Sequence, residues 1–381
     1  PEELKRNVNL LSWFEREVLE RAVELGGFIN AHAHLCRART LAPKFLEHIN
    51  TTPLTASRLP LGAKQNLTGD LHTGIAYTEE SLRDRIYNEV MLQWAYGCTA
   101  VHTNIDATPD LPHDGLLAIE IAREVKAAFA GKVELKIAPT PIFGFKDEAR
   151  WECFKAAAAM SDYLSLLPEK DDSSKRIGFD RHVRRGLELA CELRKPVEFH
   201  VDQMNSEEES GTERLLDALR FFDQPEVEGN KGEPTVWAIH VISPSAYDES
   251  RFRRLVDRLL EHNVGVIICP SAGLSMRQLR PLNAPTHNSL ARLLDLVKMG
   301  VPVRFGTDNI EDVFVPASNG DMLTEINIAA HALRLYLPVV LAKLACGVKP
   351  NNIDLAAVGT VLYEDLKAFR TVDPSWSPAV D

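Results

Sequence analysis

The stretch Gly27-Phe28-Ile29-Asn30-Ala31-His32-Ala33-His34 decides the fold. It opens as a short apolar run, the pattern of a buried strand, and it ends on a His-x-His pair. Side chains on a strand alternate with period two, so both imidazoles face one side. Two imidazoles on one strand end can bind a divalent metal. The remaining ligands then have to arrive from the ends of other strands.

Working outward from 27–32, further apolar runs fall at 99–105, 133–138, 162–167, 197–201, 235–241, 264–269 and 301–306. Helical patterns separate them, among others at 78–96, 115–130, 180–193, 250–262 and 288–299. Strands alternating with helices at this spacing predict an α/β fold, the closed (β/α)8 TIM barrel. An open doubly wound sheet would carry a glycine-rich phosphate turn after its first strand, and this sequence has none. The expected organisation is a helical extension at 1–26, the barrel at 27–346 and a tail at 347–381. The tail contains a weakly strand-like stretch at 356–362. Residues 36–77, rich in Pro, Thr, Gly and Leu, read as a long substrate-facing loop or lid.

Three positions complete the His-x-His pair. His200 ends Pro196-Val197-Glu198-Phe199, His240 ends Val236-Trp237-Ala238-Ile239, and Asp308 follows the run 301–307. In a parallel barrel the C-terminal strand ends converge on one face, so residues far apart in sequence meet in one cavity. Neutral imidazole and carboxylate suit Zn²⁺ or Fe²⁺. A metal held this way lowers the pKa of a water, and a carboxylate beside it can move the proton to a leaving amine. The other histidines, His48, His72, His113, His182, His262, His287 and His331, read as structural. Asp321 and Glu325 read as a solvated helix start.

The chain has 381 residues, 45% of them hydrophobic and 25% charged, an ordinary globular composition. Its net charge of -11 argues against nucleic acid as a partner, because a phosphate backbone needs a basic footprint. No apolar run approaches the roughly 20 residues that span a bilayer, so no membrane role is expected. There is no signal-peptide pattern. Six scattered cysteines without a C-x-x-C pair read as reduced thiols of a cytoplasmic protein. Cys36, two residues after His34, is the one placed to face the cavity.

The pattern resembles the amidohydrolase superfamily, and within it the cytosine deaminase-like branch. The likeness rests on His32, His34, His200, His240 and Asp308, and on three longer stretches. These are 97–106 (Gly-Cys-Thr-Ala-Val-His-Thr-Asn-Ile-Asp), 305–310 (Phe-Gly-Thr-Asp-Asn-Ile) and 269–280 with its Met276-Arg277-Gln278. The resemblance implies one divalent metal, Zn or Fe, on His32, His34, His200 and Asp308. His240 and Asp308 would then be catalytic, and the partner a small-molecule substrate. Homo-oligomers are a further implication. The fourth-strand run Tyr163-Leu164-Ser165-Leu166-Leu167 lacks the lysine that binuclear relatives carry, which favours a single metal. Substrate contacts are expected from Gln203, His102, Asn104, Lys64, Arg277 and Asn309.

Three departures accompany the likeness. Where such deaminases have a proton-shuttling glutamate three residues after the strand-five histidine, this chain has Gln203, and an amide cannot exchange a proton at neutral pH. Cys36 stands where the branch commonly has aspartate. The small β-sandwich built from both termini reads as missing or reduced. The expected function is metal-dependent hydrolysis of a non-peptide C–N bond, by deamination or amide hydrolysis, in a small N-heterocycle, cyclic amide or amidine. Two alternatives share the constellation: a metal-retaining binding protein without turnover, and a hydrolase of a C–Cl bond or phosphoester.

Overall fold

The computed structural model describes residues 10–275 and 290–372. Eight strands alternate with helices: β1 (Phe28–Ala33), β2 (Cys98–Asp106), β3 (Glu134–Thr140), β4 (Leu164–Leu166), β5 (Val197–Val201), β6 (Val236–His240), β7 (Gly265–Ile268) and β8 (Val303–Phe305). All pair in parallel, in two arcs ordered β1-β2-β3 and β4-β5-β6-β7-β8. Backbone bonds join the arcs at both seams. Asp162 N–H donates to the Ile137 carbonyl (2.8 Å) beside β3, while Asp308 N–H donates to His32 O (2.9 Å) and His34 N–H to Asp308 O (3.1 Å) between β8 and β1. The result is the α/β barrel expected from the strand spacing. Gly306 permits the second seam: a Cβ there would lie 2.7 Å from the His32 Cβ.

The strands are short and buried on both faces, as a helix-covered parallel sheet requires. On β5, Val197, Phe199 and Val201 join the large apolar cluster beneath the helices, and Glu198 and His200 point inward. Outside, the helices are amphipathic and capped. Phe179–Leu193 buries Val183, Leu187 and Ala190. Glu79–Ala95 is capped by Thr78, whose side chain accepts from Ser81 N–H, with Glu79 and Glu80 in its first turn. Trp13–Glu24 forms a helix before β1, opened by a Ser12/Glu15 capping box.

Two expectations are corrected, at 356–362 and at 36–77. The stretch 356–362 lies inside a helix, Asn352–Val372. Among the described residues the eight barrel strands are the only strands, so no flanking β-sandwich is seen there. Segment 36–77 is not an irregular loop but a chain of short helices, including Pro53–Ser57 and Leu61–His72, and its residues 57–65 contribute to a cavity at the C-terminal mouth of the barrel. No helix among the described residues is long and apolar enough to cross a membrane.

Candidate metal centre

His32 reaches the interior through a bulge. The β1–β2 register slips between Asn30 and Ala33, so two residues of β1, Ala31 and His32, face one of β2, His102. Ala31 and His32 therefore both point inward, Ala33 turns out to the helices, and His34 points in again at the mouth. His200 arrives by plain alternation on β5. His240 does not: Val236 and Ala238 face the helices, so continued alternation would send it outward. Its φ of 77° breaks the strand and turns the ring into the mouth, and Asp308 adopts a similar φ of 56°. Left-handed backbone at such residues costs of the order of 1–3 kcal/mol each, a strain concentrated here where two site residues are aimed.

Ring nitrogens of His32, His34 and His200 can all lie within 4.8 Å of one another. His32 Nε2 is 3.2 Å from His200 Nε2. Asp308 Oδ1 lies 3.1 Å from His34 Nε2 and 3.5 Å from His32 Nε2, and Oδ2 lies 4.0 Å from His240 Nε2. All five residues are buried.

The opposite ring nitrogens are held from behind. His32 Nδ1 meets Glu198 Oε1 (3.1 Å) and His200 Nδ1 meets the Leu166 carbonyl (3.1 Å). Both partners are acceptors, so each Nδ1 donates backward and each Nε2 is turned toward one point. Glu198 is itself fixed by Asn104 Nδ2 (2.7 Å), which also donates to Ser165 Oγ (2.7 Å), and Tyr163 donates to Asn104 Oδ1 (2.8 Å). A carboxylate behind a ligating imidazole is the usual way a protein fixes tautomer and ring orientation.

The electrostatics agree. Burial disfavours a charged His32, but the Glu198 and Asp308 carboxylates outweigh it and hold the ring up to about 9. Burial and the Arg37 guanidinium push His34 down to about 3, and burial takes His240 down to about 4. Burial opposes ionisation of Asp308, yet the surrounding imidazoles keep it well below the usual carboxylate range. The pocket thus holds a field that favours positive charge at His32, beside the neutral imidazoles of His34, His200 and His240. Asp308 Oδ1 is buried without a well-aligned hydrogen-bond partner. A divalent metal fits this donor set: His32, His34, His200 and Asp308 would hold it.

The centre forms the floor of a cavity of about 850 Å³. Of the residues expected to contact substrate, Lys64, Gln203 and Asn309 line it. Asn104 lies beneath the histidine cluster in the hydrogen-bonded layer just described, and His102, one inward step below it on β2, packs near Tyr163. Their alternation is correct, but their depth along the strand removes them from the cavity wall. Arg277 lies outside the described residues, as do Met276, Gln278 and His287. Cys36 is buried below the mouth, accepting from Asp106 N–H (3.3 Å), and its thiol is pushed up to about 12.

Sequence reasoning missed Glu198, Glu169 and Glu325. Glu198 lies mid-strand between apolar residues, and its inward register shared with His200 was the available signal. Glu169, just after β4, accepts from Gln203 Nε2 (2.9 Å), and burial with the nearby Glu209 and Asp202 raises it well above the ordinary value. Glu325 is not solvated. It is buried, accepts from Ser271 N–H (2.8 Å), and is pushed up to about 8 by burial.

No family model matches the chain. It is 25% identical over 277 residues to an uncharacterized protein of Haemophilus influenzae, spanning 73% of this chain and 92% of that one. Among solved structures, 5-methylcytosine deaminase from Klebsiella pneumoniae liganded with 5-fluorocytosine superposes with a TM-score of 0.70 at 21% identity, covering 84% of this chain and 72% of the other. N-isopropylammelide isopropylaminohydrolase from Burkholderia multivorans gives 0.62 at 18% identity, covering 88% and 82%. Adenine deaminase from Arthrobacter aurescens gives 0.56 at 15% identity, covering 90% and 99%. The chain therefore shares the barrel fold of these structures.

Proposed function

We propose that this protein is a metal-dependent hydrolase of a non-peptide C–N bond in a small N-heterocycle, cyclic amide or amidine. One divalent metal, Zn²⁺ or Fe²⁺, is held by His32, His34, His200 and Asp308. The observation that carries the reading is the convergence of the His32 and His200 Nε2 atoms, fixed from behind by Glu198 and the Leu166 carbonyl, beside an unsatisfied Asp308 oxygen. The solved structures sharing the fold support it, since their names describe deaminases and an aminohydrolase. The fourth strand supports a single metal, since Ser165, not lysine, faces inward to Asn104.

When bound, the metal supplies Lewis acidity and a nucleophile at neutral pH. Asp308, ionised and beside the reacting position, accepts the proton of the attacking water and passes it to the leaving amine. The bond formed is C–O and the bond broken is C–N. His240 is neutral at pH 7 and, 4.0 Å from Asp308 Oδ2, can hydrogen-bond the oxygen that develops charge. Gln203 donates its amide N–H to Glu169, which leaves Oε1 to accept from a ring N–H or an amino group of the substrate. Gln203 binds and does not relay protons.

The test is a screen of pyrimidines, triazines and cyclic amides, reading ammonia release and ring opening in parallel. Either product from one substrate class supports the reading, and ammonia separates deamination from amide hydrolysis. Neither product from a metal-loaded sample leaves a binding protein in its place.

A further inference from the structure

We propose that the substrate carries a carboxylate, and that Lys64 on the cavity wall binds it. The inference rests on the C–N hydrolase reading for its reaction, but not for its binding argument.

Lys64 belongs to the first turn of the helix Leu61–His72 and is only 7% exposed. Its Nζ donates to the Phe314 carbonyl (3.3 Å). An ammonium has three donors, so two remain for a ligand. Among the described residues no carboxylate pairs with it. Asp312 supplies the one acidic influence on it, and the Asp312 oxygens already accept from Asn309 Nδ2 and from the backbone N–H groups of Phe314 and Val315. A largely buried ammonium without a counter-ion is unfavourable, and burial accordingly lowers the Lys64 pKa.

The rest of the wall has the same sign. Arg58 lines the cavity at its exposed rim, and its side chain has no partner among the described residues. Arg37 also lines the cavity, with its guanidinium against His34 and 3.6 Å from Asp106. Asp308, assigned to the metal, is the one carboxylate in the lining. The sequence 276–289 contains no Asp or Glu. In a chain of net charge -11, a cationic cavity wall is not inherited from the overall surface. The helix end adds to it, because Pro60 at the N-cap offers no side-chain acceptor. One buried ammonium with one guanidinium at the rim suits a monoanion. A phosphate draws several donors, as a bidentate arginine fork or a backbone nest.

The experiment measures equilibrium binding to the metal-loaded full chain by calorimetry. The probes are two matched pairs, pyrimidine-4-carboxylate with pyrimidine and cytosine-5-carboxylate with cytosine. Wild type is expected to bind at least one carboxylated member about tenfold or more tightly than its neutral parent. Lys64→Met, which keeps the apolar stem, brings the two affinities together, and Lys64→Arg keeps most of the preference. Thermal melting confirms that each variant is folded. A preference that survives Lys64→Met is carboxylate binding to the metal alone and overturns the assignment. So does a preference for the neutral parents, or no binding of either carboxylated member at millimolar concentration. A Lys64-dependent preference without C–N cleavage retains this proposal and removes the reaction. Turnover of neutral rings without the preference does the reverse.

Discussion

The barrel interior has two unlike halves. On the β1–β2–β4–β5 side, His32, Asn104, Tyr163, Ser165, Glu198 and His200 form a continuous hydrogen-bonded layer. On the β6–β7 side, Trp237, Ile239 and Ile267 pack with Ala31, Cys269 and Val315 as a separate apolar cluster. The polar half uses burial to orient the imidazoles, and none of its residues is among those with a buried polar side-chain atom lacking a partner, which is the condition for a buried network to stabilise a fold. The apolar half fills space. The two halves should therefore fail differently when cut, one in metal affinity and the other in stability.

The largest effect is expected where the halves meet at the mouth. Asp308→Asn keeps the shape but removes the proton acceptor and a ligand charge, so turnover should fall about 10²–10⁴-fold. Steady-state rates on the substrate found by screening check this, and activity above about one percent of wild type would remove Asp308 as the base. Next, in the apolar half, Ile239→Ala should cost about 2–5 kcal/mol of stability by denaturant titration with metal stoichiometry unchanged. In the polar half, Glu198→Gln should weaken metal binding about 10–100-fold in chelator competition, with a smaller stability loss than Ile239→Ala. If Ile239→Ala lost metal while Glu198→Gln kept it, the division of labour drawn here would be wrong.

The smallest effect sharpens the comparison at the back of the apolar half. There Glu325 is a buried carboxyl whose folded value, about 8, lies above its ordinary 4.5. Between those values the folded state binds the extra proton, so this group's contribution is fully present below about pH 4.5 and is lost as pH rises through 8. Glu325→Gln mimics the protonated form. It should melt with the parent near pH 5 and above it past pH 8. Identical melting curves across that range would contradict a protonated Glu325.

Much of this was legible in the sequence, and the failures have identifiable causes. Strand positions followed from apolar runs of the right length, and the His-x-His pair from period two. The bulge at Asn30–Ala33 and the left-handed turn at His240 were not legible, because both break the alternation that sequence reading assumes. His102 and Asn104 were given the correct face but not the correct depth, since periodicity says nothing of how far below the rim a residue sits. Residues 356–362 include Val358, Thr360 and Val361 at strand-like spacing, but the helix of which they are part decides their state. Glu325 looked solvated because acidic residues favour a helix's first turn, and packing of Ser271 against that turn hid it.

Three strand ends, those of β1, β5 and β8, are proposed to build one metal site, and metal content tests this most directly. Protein purified without added metal should carry about one Zn or Fe per chain by mass spectrometry, and a His32→Ala, His200→Ala double variant should carry none. Wild-type protein that holds no metal, and takes none up on dialysis against Zn²⁺ or Fe²⁺, would contradict the account.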